Sequence, residues 1–137
     1  METKRVRIDP HNIDGSSLKE AAELLRQGQL VALPTETVYG LGASALNPQA
    51  CKRIFEVKGR PQDNPLIVHV SDLAMAQKLV TNWSPQAEAC AAKFWPGPLT
   101  LVLEKTSLVP EAVSGGLKTV AIRMPKHPVA LELIRLA

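Results

Sequence analysis

Aromatic residues are scarce in this 137-residue chain, at 4%, which argues against a nucleic-acid face built on stacked rings. Cysteine is limited to Cys51 and Cys90, far apart and without a CxxC spacing. That excludes a disulfide framework and a zinc site, and predicts two reduced structural thiols in a cytoplasmic protein. Long apolar runs are missing too: residues 30–33 and 101–103 are typical and none exceeds four residues, far too short for a membrane span. The basic N-terminal residues are not followed by the apolar stretch of a secretory signal. Neither sign of charge dominates. Sixteen Lys and Arg stand against 13 Asp and Glu, a formal net charge of +3, which permits an anionic ligand or RNA without demanding either. No GxxxxGK[ST], HExxH or GxSxG motif occurs, and His11, His69 and His127 are too scattered for a metal cluster. No metal ligands are expected.

What is present is ordinary globular material: 45% apolar and 21% charged residues, enough for one domain with one core. The pattern predicts a short strand at residues 6–8. A Ser17…Glu20 capping box then opens a helix that Gly28 ends. Residues 30–33 read as a strand buried on both faces and stopped by Pro34. Asn47-Pro48 and Ser84-Pro85 each pair an N-cap with proline at the first helical position, and Ser71-Asp72 caps a third helix. Strands are expected at residues 66–70, 99–103 and 119–123, with a Gly115-Gly116 turn before the last. Strands and helices interleave, which predicts an α/β domain with an open sheet. The stretch between the last two strands lacks helical periodicity, so that pair is expected to be antiparallel and the sheet mixed. His127-Pro128 starts another helix, and the chain ends at Ala137 without a cap. The expectation is a domain spanning residues 1–137 whose C-terminal part lies beyond them.

Residues 40–45, Gly-Leu-Gly-Ala-Ser-Ala, match GxGxxA, with Asp63 at about the ribose-binding distance. The elements contradict a dinucleotide site, because a helix starts only after Asn47 and Asp63 precedes the next strand. More informative is Pro34-Thr35-Glu36-Thr37-Val38-Tyr39-Gly40, placed where loops of open α/β sheets bind ligands. Extended, it sets the hydroxyls of Thr35, Thr37 and Tyr39 on one face; a turn with surface threonines explains it equally well. Lys58 and Arg60 flank Gly59, and a fork beside a point charge suits a polyphosphate. Cations also complement a helix C-terminus, and both readings stay open. His69 reads as a core histidine. Arg123 on a central strand is harder to accommodate, since its charge is costly to bury without an anionic partner. Trp83 and Trp95, at helix boundaries, read as packing residues.

Four segments together resemble a known family: residues 33–42, LPTETVYGLG; Lys58-Gly59-Arg60-Pro61 with residues 64–70, NPLIVHV; residues 95–100, WPGPLT; and Ile122-Arg123-Met124-Pro125. They resemble, in family order, the YrdC-like domain of threonylcarbamoyl-AMP synthases. The resemblance implies a twisted, open mixed sheet with flanking helices around a concave, basic cavity. It implies a nucleotidyltransferase reaction in which L-threonine, bicarbonate and ATP, with Mg²⁺, give threonylcarbamoyl-AMP and pyrophosphate. Other proteins then move the threonylcarbamoyl group onto an adenosine of tRNA. By motif, Thr37, His69 and Arg123 are expected on threonine, and Lys58, Arg60, Asn64 and Thr119 on ATP, with Lys58 and Arg60 also stabilising the departing pyrophosphate. Family members continue into a Ser-Ala-Asn type segment absent from this sequence. Two alternatives come from the same resemblance. One is a non-catalytic module binding double-stranded RNA or tRNA. The other is a YrdC-like domain of a carbamoyl-transfer enzyme of hydrogenase maturation, which requires upstream acylphosphatase-like and zinc-finger segments.

Overall fold

The computed structural model describes residues 2–137. Six helices and five strands interleave: α1 (Gly15–Arg26), β1 (Val31–Pro34), β2 (Tyr39–Gly42), α2 (Pro48–Lys58), β3 (Ile67–His69), α3 (Leu73–Leu79), α4 (Pro85–Phe94), β4 (Leu101–Glu104), α5 (Glu111–Ser114), β5 (Thr119–Arg123) and α6 (Pro128–Leu136). The helix starts follow the local signals. Asn47 accepts from the amides of Gln49 and Ala50, Ser84 from Ala87, and Asp72 from Met75. His127 does the same through Nδ1 for the amide of Val129.

The α/β class and the mixed sheet stand. β5 lies at the centre of a three-stranded sheet, parallel to β3 and antiparallel to β4. Its inner face, Val120 and Ile122, packs with Val68 and Val70 against residues of α2, α3, α4 and α5 to form the larger core. Trp83 and Trp95 join that core with ring centroids 6.2 Å apart, so both serve packing. The Gly115 turn is equally constrained. Its φ is +62°, and a Cβ there would stand 2.7 Å from the Asp63 carbonyl oxygen, which holds the loop after α2 against the end of α5.

Four local expectations are corrected. Residues 6–8 form no strand; Val6 is 48% exposed and nothing pairs with it. Asp14, not Ser17, caps α1, its carboxylate accepting from the Ser16 amide; an aspartate at this position captures the free amides one turn earlier. β1 is not buried on both faces, since Ala32 is exposed. The reason lies in β2, which the sequence pattern concealed: β1 and β2 form a separate antiparallel hairpin, Val31 opposite Gly42, outside the three-stranded sheet. The hairpin rests on a second, smaller core built from Leu18, Ala22 and Leu25 of α1 with Val129 and Leu133 of α6. Both Gly40 and Gly42 lie within β2, so the glycine pattern serves a strand and not a phosphate loop. A Cβ on Gly42 would meet Leu33 Cδ2 at 2.8 Å.

Candidate active site

Two chain crossings, with the β3–β5 pairing, bring the four family-like segments together. The Gly97 amide donates to the Met124 carbonyl at 2.8 Å, and the Lys126 amide donates to Glu36 Oε2 at 2.8 Å. The turn of the β1–β2 hairpin thereby sits beside the outer ends of β3 and β5. Strand alternation turns Val120 and Ile122 inward, so Ala121 and Arg123 take the other face of β5. In the parallel register His69 pairs with Arg123, and the two side chains share that face.

Arg123 is half-buried, and its Nε and Nη2 donate to Thr100 Oγ1 at 3.0 and 2.7 Å. Among the described residues it forms no salt bridge. A guanidinium held in place by a neutral hydroxyl keeps its charge for an anion. Sequence reasoning missed Thr100, although it belongs to one of the four segments; its position just before β4, in line with Arg123 across the antiparallel pair, is the signal that marks it. Burial, followed by the charge of Arg123, pushes the His69 imidazole below its usual range, with Glu36 acting the other way. His69 is therefore a neutral imidazole at physiological pH, able to donate from one nitrogen and accept at the other.

The expectation of three aligned hydroxyls is corrected. Thr35 to Val38 make a turn, so Tyr39 points away and is 80% exposed. Thr35 Oγ1 donates to the Val38 carbonyl at 2.6 Å and lies 3.1 Å from Thr37 Oγ1. With the Thr35 proton so used, Thr37 donates to Thr35 and leaves its own lone pairs free.

A cavity of about 630 Å³ opens beside this group, and Thr35, Lys58, Arg60 and His69 all line it; the volume suits a small-molecule ligand. Arg26 and Lys78 also reach it, and no Asp or Glu does. Lys58 ends α2 and Gly59 caps it at φ +63°, so the dipole-complementing role of Lys58 is real. Arg60 turns back instead. Its Nη2 donates to the Pro65 carbonyl at 2.8 Å, its guanidinium lies 5.8 Å from the Phe55 ring centre, and its buried Nε has no partner. Thr37, Asn64, Arg123 and Thr119 do not line the cavity itself. Thr37 and Arg123 flank it through Thr35 and His69. Asn64 is exposed in the loop after α2. Thr119 begins β5 opposite Glu104, four residues and about 13 Å from Arg123.

His69 and, beside it, an arginine without a carboxylate thus stand at the edge of a largely apolar hollow with four cations at its wall. The family model for Sua5, YciO and YrdC, described as "telomere recombination", matches residues 23–137. The chain belongs to this family. It is 54% identical over 125 residues to a threonylcarbamoyl-AMP synthase of Pyrococcus abyssi, an alignment covering 91% of this chain and 37% of that protein. It is 49% identical over 139 residues to the enzyme of the same name from Bacillus subtilis, covering 98% and 40%. The crystal structure of P. abyssi Sua5 complexed with L-threonine superposes with a TM-score of 0.89, at 54% identity, over 91% of this chain and 37% of that one. The chain thus spans about two-fifths of the length of these relatives.

Proposed function

We propose that the chain binds L-threonine and ATP and takes part in forming threonylcarbamoyl-AMP and pyrophosphate from threonine, bicarbonate and ATP. The observation that carries this reading is Arg123, a half-buried guanidinium fixed by Thr100 and left without a carboxylate. It suits a substrate carboxylate, with neutral His69 and the Thr37 hydroxyl as polar partners for the rest of the amino acid. The names of the relatives and the threonine bound to P. abyssi Sua5 support threonine as the amino acid.

Lys58 and Arg60, with Asn64 and Thr119, are assigned to ATP. In the reaction a carbamate oxygen attacks the α-phosphorus and the bond to the pyrophosphate oxygen breaks. Positioning and charge stabilisation then carry most of the catalysis, and the two cations stabilise the charge that builds on the leaving group. Mg²⁺ travels with the ATP phosphates; among the described residues no three His, Cys, Asp or Glu side chains gather into a metal site. The product's consumers are threonylcarbamoyl-transfer proteins acting on tRNA in the cytoplasm. Among the described residues no helix is long and apolar enough to cross a membrane.

The test supplies labelled bicarbonate with threonine and ATP. The label is expected in an adenylate, with pyrophosphate released only when threonine is present. Release of ADP and phosphate would rule out adenylation. RNA affinity that falls with salt and ignores threonine and ATP would favour the double-stranded RNA or tRNA module instead.

A further inference from the structure

The acid in the hairpin turn has two unlike oxygens. Glu36 Oε2 accepts from the Lys126 amide, three residues past Arg123, at 2.8 Å. Oε1 is buried and, among the described residues, has no hydrogen-bond partner. A tie between two loops needs only one acceptor, and a neutral glutamine would supply it. A carboxylate oxygen removed from water and left unpaired is instead a costly arrangement, which persists where something else completes it. Its neighbours narrow the choice of partner. Glu36 acts electrostatically on His69 from the side opposite in sign to Arg123, and His69 and Arg123 are a register pair on adjoining strands. One anion and one cation therefore act on the same imidazole, each lacking a charged partner of its own among the described residues. A zwitterionic α-amino acid carries the complementary pair of charges, one on each side of its α-carbon.

We propose that Glu36 Oε1 accepts a hydrogen bond from the α-ammonium of the amino acid whose carboxylate Arg123 holds. This deepens the threonine reading above and rests on it. The assignment also orders events at the amine. Glu36 holds the nitrogen in its charged form on arrival; the nitrogen becomes a nucleophile toward CO₂ only after it gives up that proton to water, and the second proton goes to water as the N–C bond of the carbamate forms.

The experiment compares wild type and Glu36→Gln by calorimetric titration with L-threonine and with (R)-3-hydroxybutanoate, which is threonine without its amine. The glutamine keeps an oxygen for the Lys126 amide and removes the charge. Threonine affinity is expected to fall at least ~10-fold, as for loss of a charge-assisted bond, while affinity for the amine-free acid stays within about twofold. An equal loss for both ligands would make Glu36 a loop tie and overturn the proposal; unchanged threonine affinity would overturn it too. Should the variant fail to fold, wild type alone decides, since a preference for threonine of less than about tenfold over the amine-free acid leaves Oε1 without a role. Absence of saturable threonine binding in wild type is a different result, and removes the threonine reading together with this assignment.

Discussion

At the scale of single residues, the most informative side chain is Arg123. Strand alternation by itself places it off the core face, and among the described residues its guanidinium bonds the Thr100 hydroxyl and no carboxylate. If threonine binds the folded wild type and raises its melting temperature, Arg123→Ala is expected to abolish that rise. The variant's own melting temperature should change little or rise, because a half-buried unpaired charge is gone. Differential scanning fluorimetry with L-threonine, and L-serine as a control for the methyl group, reads both effects. His69 makes a second prediction. Its folded pKa lies below the ordinary 6.5, so between those two values the unfolded chain binds more protons. Stability is then complete above about pH 6.5 and falls as the pH drops toward the folded value. His69→Gln should flatten that part of a melting-temperature profile between pH 7 and 5; an identical slope in the variant would assign the acid sensitivity to other groups.

At the scale of elements, what the sequence disclosed and what it hid differ for a physical reason. Helix starts are written locally: Asn47-Pro48, Ser84-Pro85 and His127-Pro128 each carry an acceptor for the free amides and a fixed φ in two consecutive residues. β2 carries no such mark. Tyr39-Gly40-Leu41-Gly42 has two glycines in four residues and no β-branched residue, and it becomes a strand only because β1 offers it a partner. The same blindness to partners raised residues 6–8 to a strand and gave β1 two buried faces. The candidate site divides the same way. Arg123 and the two cations after α2 stand out in the sequence as charges in awkward places, whereas Thr100 and Glu36 acquire their roles only where the loops meet.

The end of α2 supplies an element-scale prediction, because its two cations do different work. Lys58 is exposed and has no hydrogen bond among the described residues, while Arg60 braces Pro65 and lies over Phe55. Lys58→Ala should weaken ATP binding by ~1.5–3 kcal/mol, the scale of one charge-assisted contact, and leave the fold intact. Arg60→Ala should weaken ATP binding similarly and also lower the melting temperature, since the loop to β3 loses its brace. Binding isotherms and thermal melts of both variants check the split. Lowered melting with undiminished turnover in both would return these cations to a helix-end role.

At the scale of the whole molecule, the two hydrophobic cores described above lie on either side of the site. Thr35, Glu36 and Thr37 hang from the hairpin over the smaller core, and His69 and Arg123 stand on the sheet over the larger one. Among the described residues, the Lys126 amide on Glu36 is one side-chain tie across that line. An amino acid bridging Thr37 or Glu36 to Arg123 would act as a fastener between two halves that otherwise ride on separate cores. Amide hydrogen exchange should register this. Threonine is expected to slow exchange in the hairpin and in α1 as well as around β5, and protection confined to β5 would mean that the ligand touches only one half. A fastened seam would also give the order of assembly a direction, since a nucleotide arriving after threonine would meet a hollow whose walls were already drawn to a fixed separation. Selectivity for the amino acid would then be exercised as a matter of shape, before any phosphate bond is at stake.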